Sequence, residues 1–401
     1  MLTFDEAMAR LLSGVRRLSP ERVALADALH RVLAEAVVAR SALPPFDHAA
    51  MDGYAVATGD LAGSAPWALA VSGESSAGSL ASALSPSSAT RIFTGAPLPE
   101  GADAVVPQEI VERDGNTIRL QYRPRVGDHI RKAGQDLPAD AVALAAGLRL
   151  TPGALALAAM LDETEVVVAR RPHVTIVCTG NELRPVGNRV RAGAIPESNS
   201  IALAGLAGQA GASSLIAPIV RDDLGQATEA LEQALDSSDL LLTVGGVSVG
   251  DHDIVRPALA RAGVTLDFWK VAIKPGKPIA FGRHARRACV LGLPGNPASA
   301  LVTFAVFGMP LLRAMQGDER PHPMRLRAHL SAARRRSADR LELLRATLLR
   351  EDAKLVAVAH DNQASGAATS LAKSDGLALV PPGEGSLEAG AAVDFVRWVD
   401  V

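Results

Sequence analysis

Apolar positions recur three and four residues apart in DEAMARLLSGV and again in ERVALADALHRVLAEAV, the spacing that gathers them on one face of a helix, so residues 3–40 predict an amphipathic helical segment. From 41 to about 140 the period changes. Gly, Pro and Ser punctuate the short β-prone stretches TRIFTGAP, DAVVPQEIVE and NTIRLQYRP, which predict a small β-rich unit. Within it SGESSAGSLASALSPSSAT, polar and rich in small residues, reads as a surface loop. Helical spacing returns in TPGALALAAMLDE, and the two helical stretches flanking the β-rich unit are expected to pack together.

After Pro172 apolar runs of strand length alternate with helical stretches: VTIVCTG, SIALAGLAGQAG, SSLIAPIV, LGQATEALEQALDSS and DLLLTVGGVS. This alternation predicts a parallel α/β sheet, and LLLTV and ACVLGL read as strands buried on both faces. Beyond Met315 the polar stretch QGDERPHP marks a boundary, and the alternating runs RLRAHL, KLVAVAH, GLALVPP and VDFVRWV predict a final β unit. The expected division is 1–41 with 141–170 (discontinuous helical), 42–140 (inserted β-rich), 171–317 (α/β) and 318–401 (β).

Composition narrows the class. With 401 residues, 48% apolar and 21% charged, the chain is long enough for several cores and is neither disordered nor fibrous. Its 41 basic and 43 acidic residues leave a formal charge of −2, so no general positive field gathers nucleic acid or an acidic membrane, and any anion site must be built locally. Cys178 and Cys289, the two cysteines, sit in strand-like apolar runs and read as reduced, packed thiols. The N-terminus lacks a secretory pattern, and the longest apolar run, near 300–312, is interrupted by Gly308 and Pro310, short of the ~18 residues a spanning helix needs. A soluble cytoplasmic protein is expected, with no nucleic-acid or membrane partner.

Ligands of open α/β sheets bind beyond the carboxyl ends of the strands, and the polar residues cluster there. VTIVC is followed by Thr179, Gly180, Asn181 and Glu182; LIAPIV by Arg221, Asp222 and Asp223; LLLTV by GGVSVGDHD; CVLGL by PGNP. Gly245, Gly246 and Gly250 would let the backbone approach an oxyanion, although the run has neither Walker nor dinucleotide-binding spacing and, alone, is more readily an ordinary turn. Asn296 before Pro297 is good helix-start chemistry, and a helix N-terminus also presents free amides to an anion. Glu182, Asp222 and Asp253 offer carboxylates at three strand ends, which suits a hard cation such as magnesium. His252 has no zinc-site spacing. Lys270, Lys274 and Lys277 place three ammonium groups near one loop, a solvated basic turn or an anion site. Asp52, Thr94 and Asp136 stand in turn-like stretches of the insert.

Taken in order, PFDHAAMDGYAV, IFTGAPLPEGADAVV, IRKAGQD, TGNEL, SNS, TVGGVSVGDHD, FWKVAIKPGKPIAFG and LGLPGNPASA resemble the MoeA family of molybdopterin molybdenumtransferases across nearly the whole chain. The resemblance implies four parts: a discontinuous helical domain, a β-rich insert, a three-layer α/β molybdopterin-binding domain and a C-terminal β-barrel-like domain. It implies insertion of molybdate into adenylylated molybdopterin with release of AMP, aided by Mg²⁺. It also implies a homodimer whose cleft is shared between subunits, so that Asp52 and Thr94 act across it, and transient contact with other cofactor-biosynthesis proteins.

Carried over by motif, the catalytic residues are Asp52, Thr94, Asp136, Glu182, Lys270 and Lys274, and the metal ligands Glu182, Asp222 and Asp253. Substrate binding falls to Gly245, Gly246, Ser248, Gly250, Lys277, Pro294, Gly295, Asn296 and Pro297, and, in the C-terminal domain, to Arg345 and Ser365. The chain departs from the pattern at Glu197-Ser198-Asn199, Gln363-Ala364-Ser365 and Asn181, where the family often has Asp-Ser-Asn, Gln-Gly-Ser and an acid. Two other readings are a molybdopterin adenylyltransferase, which shares the α/β domain but would not account for the insert, flanks and C-terminal domain, and a non-catalytic scaffold on the same fold.

Overall fold

The structure, a computed structural model, describes the chain except positions 81, 189–191, 247–253, 286–287 and 399–401. Helix Phe4–Leu12 begins where Thr3 and Glu6 satisfy each other's backbone amides in a capping box, and it buries Ala7, Met8 and Leu11. These join the core of the α/β unit, beside Leu311 and Leu312, and not that of helix Pro152–Met160. The second expected helix is absent. ERVALADALHRVLAEAV instead forms strand Pro20–Ala24, a short 3₁₀ turn at Leu25–Asp27 and strand Val37–Val38. Strand Pro20–Ala24 pairs antiparallel with Glu165–Ala169, and His30 adopts φ +62°, which an α-helix cannot continue through. Long-range pairing has overridden a helical local pattern.

The insert is a six-stranded sheet in which Gly53–Val56 lies between Ala104–Pro107 and Ser88–Ile92, around a core of Tyr54, Val56, Leu69, Val106, Ile118 and Leu120. Strand Trp67–Ser75 takes up the start of the expected SGESSAGSLASALSPSSAT loop.

The α/β unit carries a six-stranded sheet in the order Ser213–Ile216, His173–Cys178, Leu240–Val244, Cys289–Leu293, Ala280–His284 and Val264–Phe268. The first four strands are parallel, as expected, whereas Ala280–His284 pairs antiparallel with both of its neighbours, Cys289–Leu293 and Val264–Phe268. Alternation assigns the faces: Val174 and Ile176 enter one core and Val177 the other. Helices Leu224–Ser237 and Val255–Arg261 cover the second face. The first is covered by Asn199–Gln209 and by a continuous helical stretch from Pro297 to Met315, which passes through Gly308 and Pro310 with one π-helical turn at Phe304–Gly308. That 19-residue stretch is long and apolar enough to cross a bilayer, but 89% of its apolar window is buried, which makes it a core helix. Gly308 is where the aromatic ring of Phe304 packs, since a Cβ there would stand 2.2 Å from it. Cys178 and Cys289 are free and buried, and burial pushes both thiols up.

The C-terminal unit is a closed five-stranded barrel. Leu341–Glu351 pairs with Lys354–Ala359, then follow Arg325–Leu330, Ala392–Arg397 and Gly376–Val380, which returns to Leu341–Glu351. The dipeptide Ile273–Lys274 adds to its edge, parallel to Leu341 and Glu342. A loop of the α/β unit is thereby stitched to the barrel.

Candidate functional site

The chain order of the parallel strands reverses between His173–Cys178 and Leu240–Val244, and the crevice beyond their carboxyl ends is the ligand position such sheets offer. Glycines keep it open. A Cβ on Gly245 (φ +92°) would stand 2.7 Å from the Thr179 carbonyl oxygen, and one on Gly246 (φ +60°) 2.4 Å from Val255. Gly295 lies against Gly245, where an added Cβ would meet its Cα at 3.5 Å. Thr179 Oγ1, 3.3 Å from that Gly246 position, is buried without a hydrogen-bond partner among the described residues. Ser248, Gly250 and Asp253 lie outside the described residues, so the structure places only the first part of the GGVSVGDHD run.

Two of the three expected carboxylates come from neighbouring loops. Asn181 N donates to Asp222 Oδ2 at 3.1 Å and Asp222 N to Asn181 Oδ1 at 3.3 Å, a reciprocal clamp between TGNEL and the loop after Val220. Glu182 folds back over Gly180, whose φ of +151° and missing Cβ leave room for its carboxylate, and it has no hydrogen-bond partner among the described residues. One free carboxylate and one half-engaged carboxylate are hard oxygen donors of the kind a divalent cation accepts. Among the described residues there is no group of three or more His, Cys, Asp or Glu side chains placed to hold a metal.

The helix at PGNP starts with Pro297 in its first turn, but Asn296 does not cap it with its side chain. Its Nδ2 donates instead to Ser365 Oγ at 3.0 Å, and Ala298 N donates to the Ser365 carbonyl at 3.0 Å. Ser365 thus brings the barrel to the helix N-terminus and, through buried Pro294 and exposed Gly295, to the glycine crevice. Arg345, expected to bind substrate, is wholly buried. Its Nε donates to Ser370 Oγ at 2.7 Å, and one terminal nitrogen to the carbonyls of Asn362 (3.2 Å) and Ala364 (3.0 Å), while the other has no acceptor among the described residues. Desolvation lowers its pKa. Gln363 clamps the Arg345 backbone in both directions, at 3.0 and 2.7 Å, so the loop carrying Ser365 is set by Arg345.

The basic loop divides its lysines. Lys270 lines a cleft with Arg10, Arg256 and Trp269, and Lys274 lines another with Arg334, Arg335 and Arg336. Lys274 Nζ pairs with Glu342 at 3.1 Å. Lys277 is exposed; its carbonyl accepts from Val271 and Ile279 and closes the loop. Gly276 (φ +102°) packs on the PGNP helix, since a Cβ would stand 2.1 Å from Thr303 Cγ2.

In the insert, Asp52 and Thr94 meet: Thr94 N and Oγ1 both donate to Asp52 Oδ1 at 2.7 Å, which holds the carboxyl below its usual range. Asp136 is exposed, with no hydrogen-bond partner for its carboxylate among the described residues. Among the described residues no hydrogen bond or ion pair joins these three to the strand-end crevice of the same chain. Sequence reasoning assigned no role to three residues. Asn199 Nδ2 donates to the Gly295 carbonyl at 2.8 Å, leaving its buried Oδ1 without a donor; the other two are Thr179 and Glu342. SNS carried the signal for Asn199, and nothing local marks Glu342 as the partner of Lys274.

A polar crevice at the switch point of a doubly wound sheet, flanked by an inserted sheet domain and a barrel, defines a multidomain α/β protein with a ligand cleft at its strand ends. Residues 2–161 match the MoeA N-terminal region (domain I and II), 175–314 a probable molybdopterin binding domain and 327–398 the MoeA C-terminal region (domain IV). The molybdopterin molybdenumtransferase of Bacillus subtilis is 35% identical over 98% of this chain and 93% of its own. Molybdopterin molybdenumtransferase 2 of Mycobacterium tuberculosis is 36% identical over 99% of both. The crystal structure of the molybdopterin biosynthesis moeA protein from Pyrococcus horikoshii OT3 superposes with a TM-score of 0.86 at 28% identity, covering 99% of this chain and 100% of its own. The chain belongs to the MoeA family.

Proposed function

We propose that this protein is a molybdopterin molybdenumtransferase that inserts molybdate into adenylylated molybdopterin and releases AMP. The observation that carries the reading is the junction at Asn296, Ser365 and Arg345. There a helix N-terminus and a hydroxyl meet beside the glycine crevice, on a loop that the wholly buried, positively charged Arg345 guanidinium sets from below. Oriented N–H donors and a cation that no carboxylate neutralises favour an oxyanion. Pro294, Gly295, Pro297 and the Gly245–Gly246 turn would shape the crevice around the pterin phosphate, and Ser248 and Gly250, outside the described residues, would share in binding it. Lys270, Lys274 and Lys277 would draw molybdate toward it.

Glu182 and Asp222, with Asp253, would hold Mg²⁺, which when bound offsets charge on the phosphate oxygens. In the chain itself, Asn181 fixes Asp222, Gly180 leaves room for the exposed Glu182 carboxylate, and Asn199 holds the Gly295 carbonyl. Asp52, positioned with Thr94, and the exposed Asp136 would orient substrate from the insert of a second subunit in a homodimer. This reading fits the lack of any polar link to the crevice of their own chain among the described residues. A cytoplasmic setting, where the pterin is made, completes the proposal. The test supplies the purified protein with adenylylated molybdopterin, molybdate and Mg²⁺, and follows AMP together with metal retained by the pterin. AMP release coupled to metal retention is expected; ATP-dependent adenylylation of free molybdopterin, or neither reaction, refutes the assignment.

A further inference from the structure

Strand Leu341–Glu351 presents its two faces to different surroundings. Leu344 and Ala346 fill the barrel interior, while Leu343 joins the core of the α/β unit. By this alternation Glu342 belongs to the barrel side and Arg345 to the opposite one, so the two mark separate places. Glu342 stands at the barrel mouth with its side chain only 4% exposed, accepting from Lys274 Nζ at 3.1 Å and from Arg334 at 3.3 Å. Above it opens a cleft of about 380 Å³ lined by Lys274, Arg334, Arg335, Arg336, Ser337 and Glu342.

Four cations here face one carboxylate. Arg335 is exposed and has no ion-pair partner among the described residues, and Arg336 donates to the uncharged carbonyl of Glu384 while lying against Gly383. Self-repulsion among concentrated like charges is relieved when a counter-charge binds, and guanidinium forks match tetrahedral oxyanions geometrically as well as electrostatically. The cleft lies at the small end of ligand pockets, which run from ~300 Å³ upward. It therefore suits a compact anion.

We infer that the barrel mouth is a second oxyanion site, separate from the Arg345 junction, which takes a doubly charged tetrahedral anion: free oxometalate or the phosphate of the pterin substrate. Naming those two sources rests on the proposed function; the binding itself does not. Lys274 belongs both to this cleft and to the loop of Lys270 and Lys277, so an anion gathered here already touches that loop.

The test titrates the full-length protein calorimetrically with sodium molybdate and, separately, with inorganic phosphate, comparing wild type with the Arg335→Gln/Arg336→Gln double variant. Loss of one binding event, or a roughly tenfold weaker one, is expected from deleting charge-assisted contacts to a dianion. The Arg335→Lys/Arg336→Lys variant, which keeps the charge, should retain most of the binding and controls for folding. In turnover, a raised KM for molybdate alone identifies the oxometalate as occupant, and a raised KM for the pterin alone identifies its phosphate. Wild-type affinity and stoichiometry in the glutamine variant, or no anion binding by the wild type, overturns the site. Anion binding that the glutamine variant loses, in a protein that inserts no molybdenum, would instead overturn the proposed function and leave the site standing.

Discussion

Replacing Arg345 by methionine separates stability from function. The side chain donates three hydrogen bonds, and charged bonds are worth about 1.5–3 kcal/mol each, which by itself would suggest severe destabilisation. Two terms oppose this. Asn362 and Ala364 are exposed, so their carbonyls recover water, and removing a buried cation that has no carboxylate partner relieves a desolvation penalty of several kcal/mol. The net loss should be about 1–2 kcal/mol, mostly the repacking around the Ser370 hydroxyl. Gln363 still clamps the backbone of residue 345, so the loop stays attached but is no longer set from below. Thermal unfolding should fall by only a few degrees, whereas amide exchange at 362–366 should rise. Molybdenum insertion should drop at least tenfold, equivalent to about 1.4 kcal/mol of lost transition-state stabilisation. Arg345→Lys should not rescue, because one ammonium cannot span Ser370 and both carbonyls. Wild-type turnover with unchanged exchange at 362–366 would refute this account of Arg345.

Gly276→Ala combines a φ of +102° with a Cβ 2.1 Å from Thr303 Cγ2, so it should destabilise the α/β unit by about 2–4 kcal/mol, read as a lowered unfolding midpoint. Asp222→Ala, at an exposed position, should leave that midpoint within about 0.5 kcal/mol of wild type while abolishing insertion; normal turnover would remove Asp222 from the chemistry. Mixing Asp52→Ala with Asp222→Ala protomers should restore part of the activity if each site draws on two subunits, and verified heterodimers without activity would place the site in one chain. The folded pKa of Asp52 is depressed by the Thr94 amide and hydroxyl, so its local stabilisation is fully present above the unfolded value and is lost as pH falls through the lower folded one. The Thr94 amide resonance should therefore hold steady from pH 7 to about 4 and move only below that, where unfolded aspartate (pKa ~3.9) has already begun to protonate.

The α/β unit and barrel were legible because their strands carry their own signal. LLLTV and CVLGL are apolar but for Thr243 since both faces are covered, and GLALV is bounded by turn residues. The stretch after Pro20 was not, because its helical spacing is genuine and is defeated only by pairing with Glu165–Ala169, some 145 residues away in the chain. The 297–315 stretch misled in the opposite sense. Gly308 and Pro310 look like breakers, but Pro310 falls in the first turn after a π-helical turn and Gly308 makes room for Phe304, so the helix runs through both.

For the candidate site, what could be read was which residues end the strands; what could not was which of them share a surface. Lys270 and Lys274 are four apart in sequence, yet the short pairing of Ile273–Lys274 with Leu341–Glu342 turns Lys274 toward the barrel, while Lys270 stays beside Trp269. A buried carboxylate decides this. Glu342, with only 4% of its side chain exposed, would be strongly destabilising without a cation, and Lys274 and Arg334 supply two. The same dependence makes Lys274 a poor independent anion receptor: a ligand must share it with Glu342 or displace the carboxylate. Lys274→Ala should accordingly damage stability and oxyanion affinity together, since Arg334 alone remains to offset Glu342. Lys270→Ala, with no internal acid relying on it among the described residues, should change substrate affinity while leaving the unfolding midpoint nearly where it was. Equal melting behaviour in the two variants would show that Glu342 does not govern the placement of the loop.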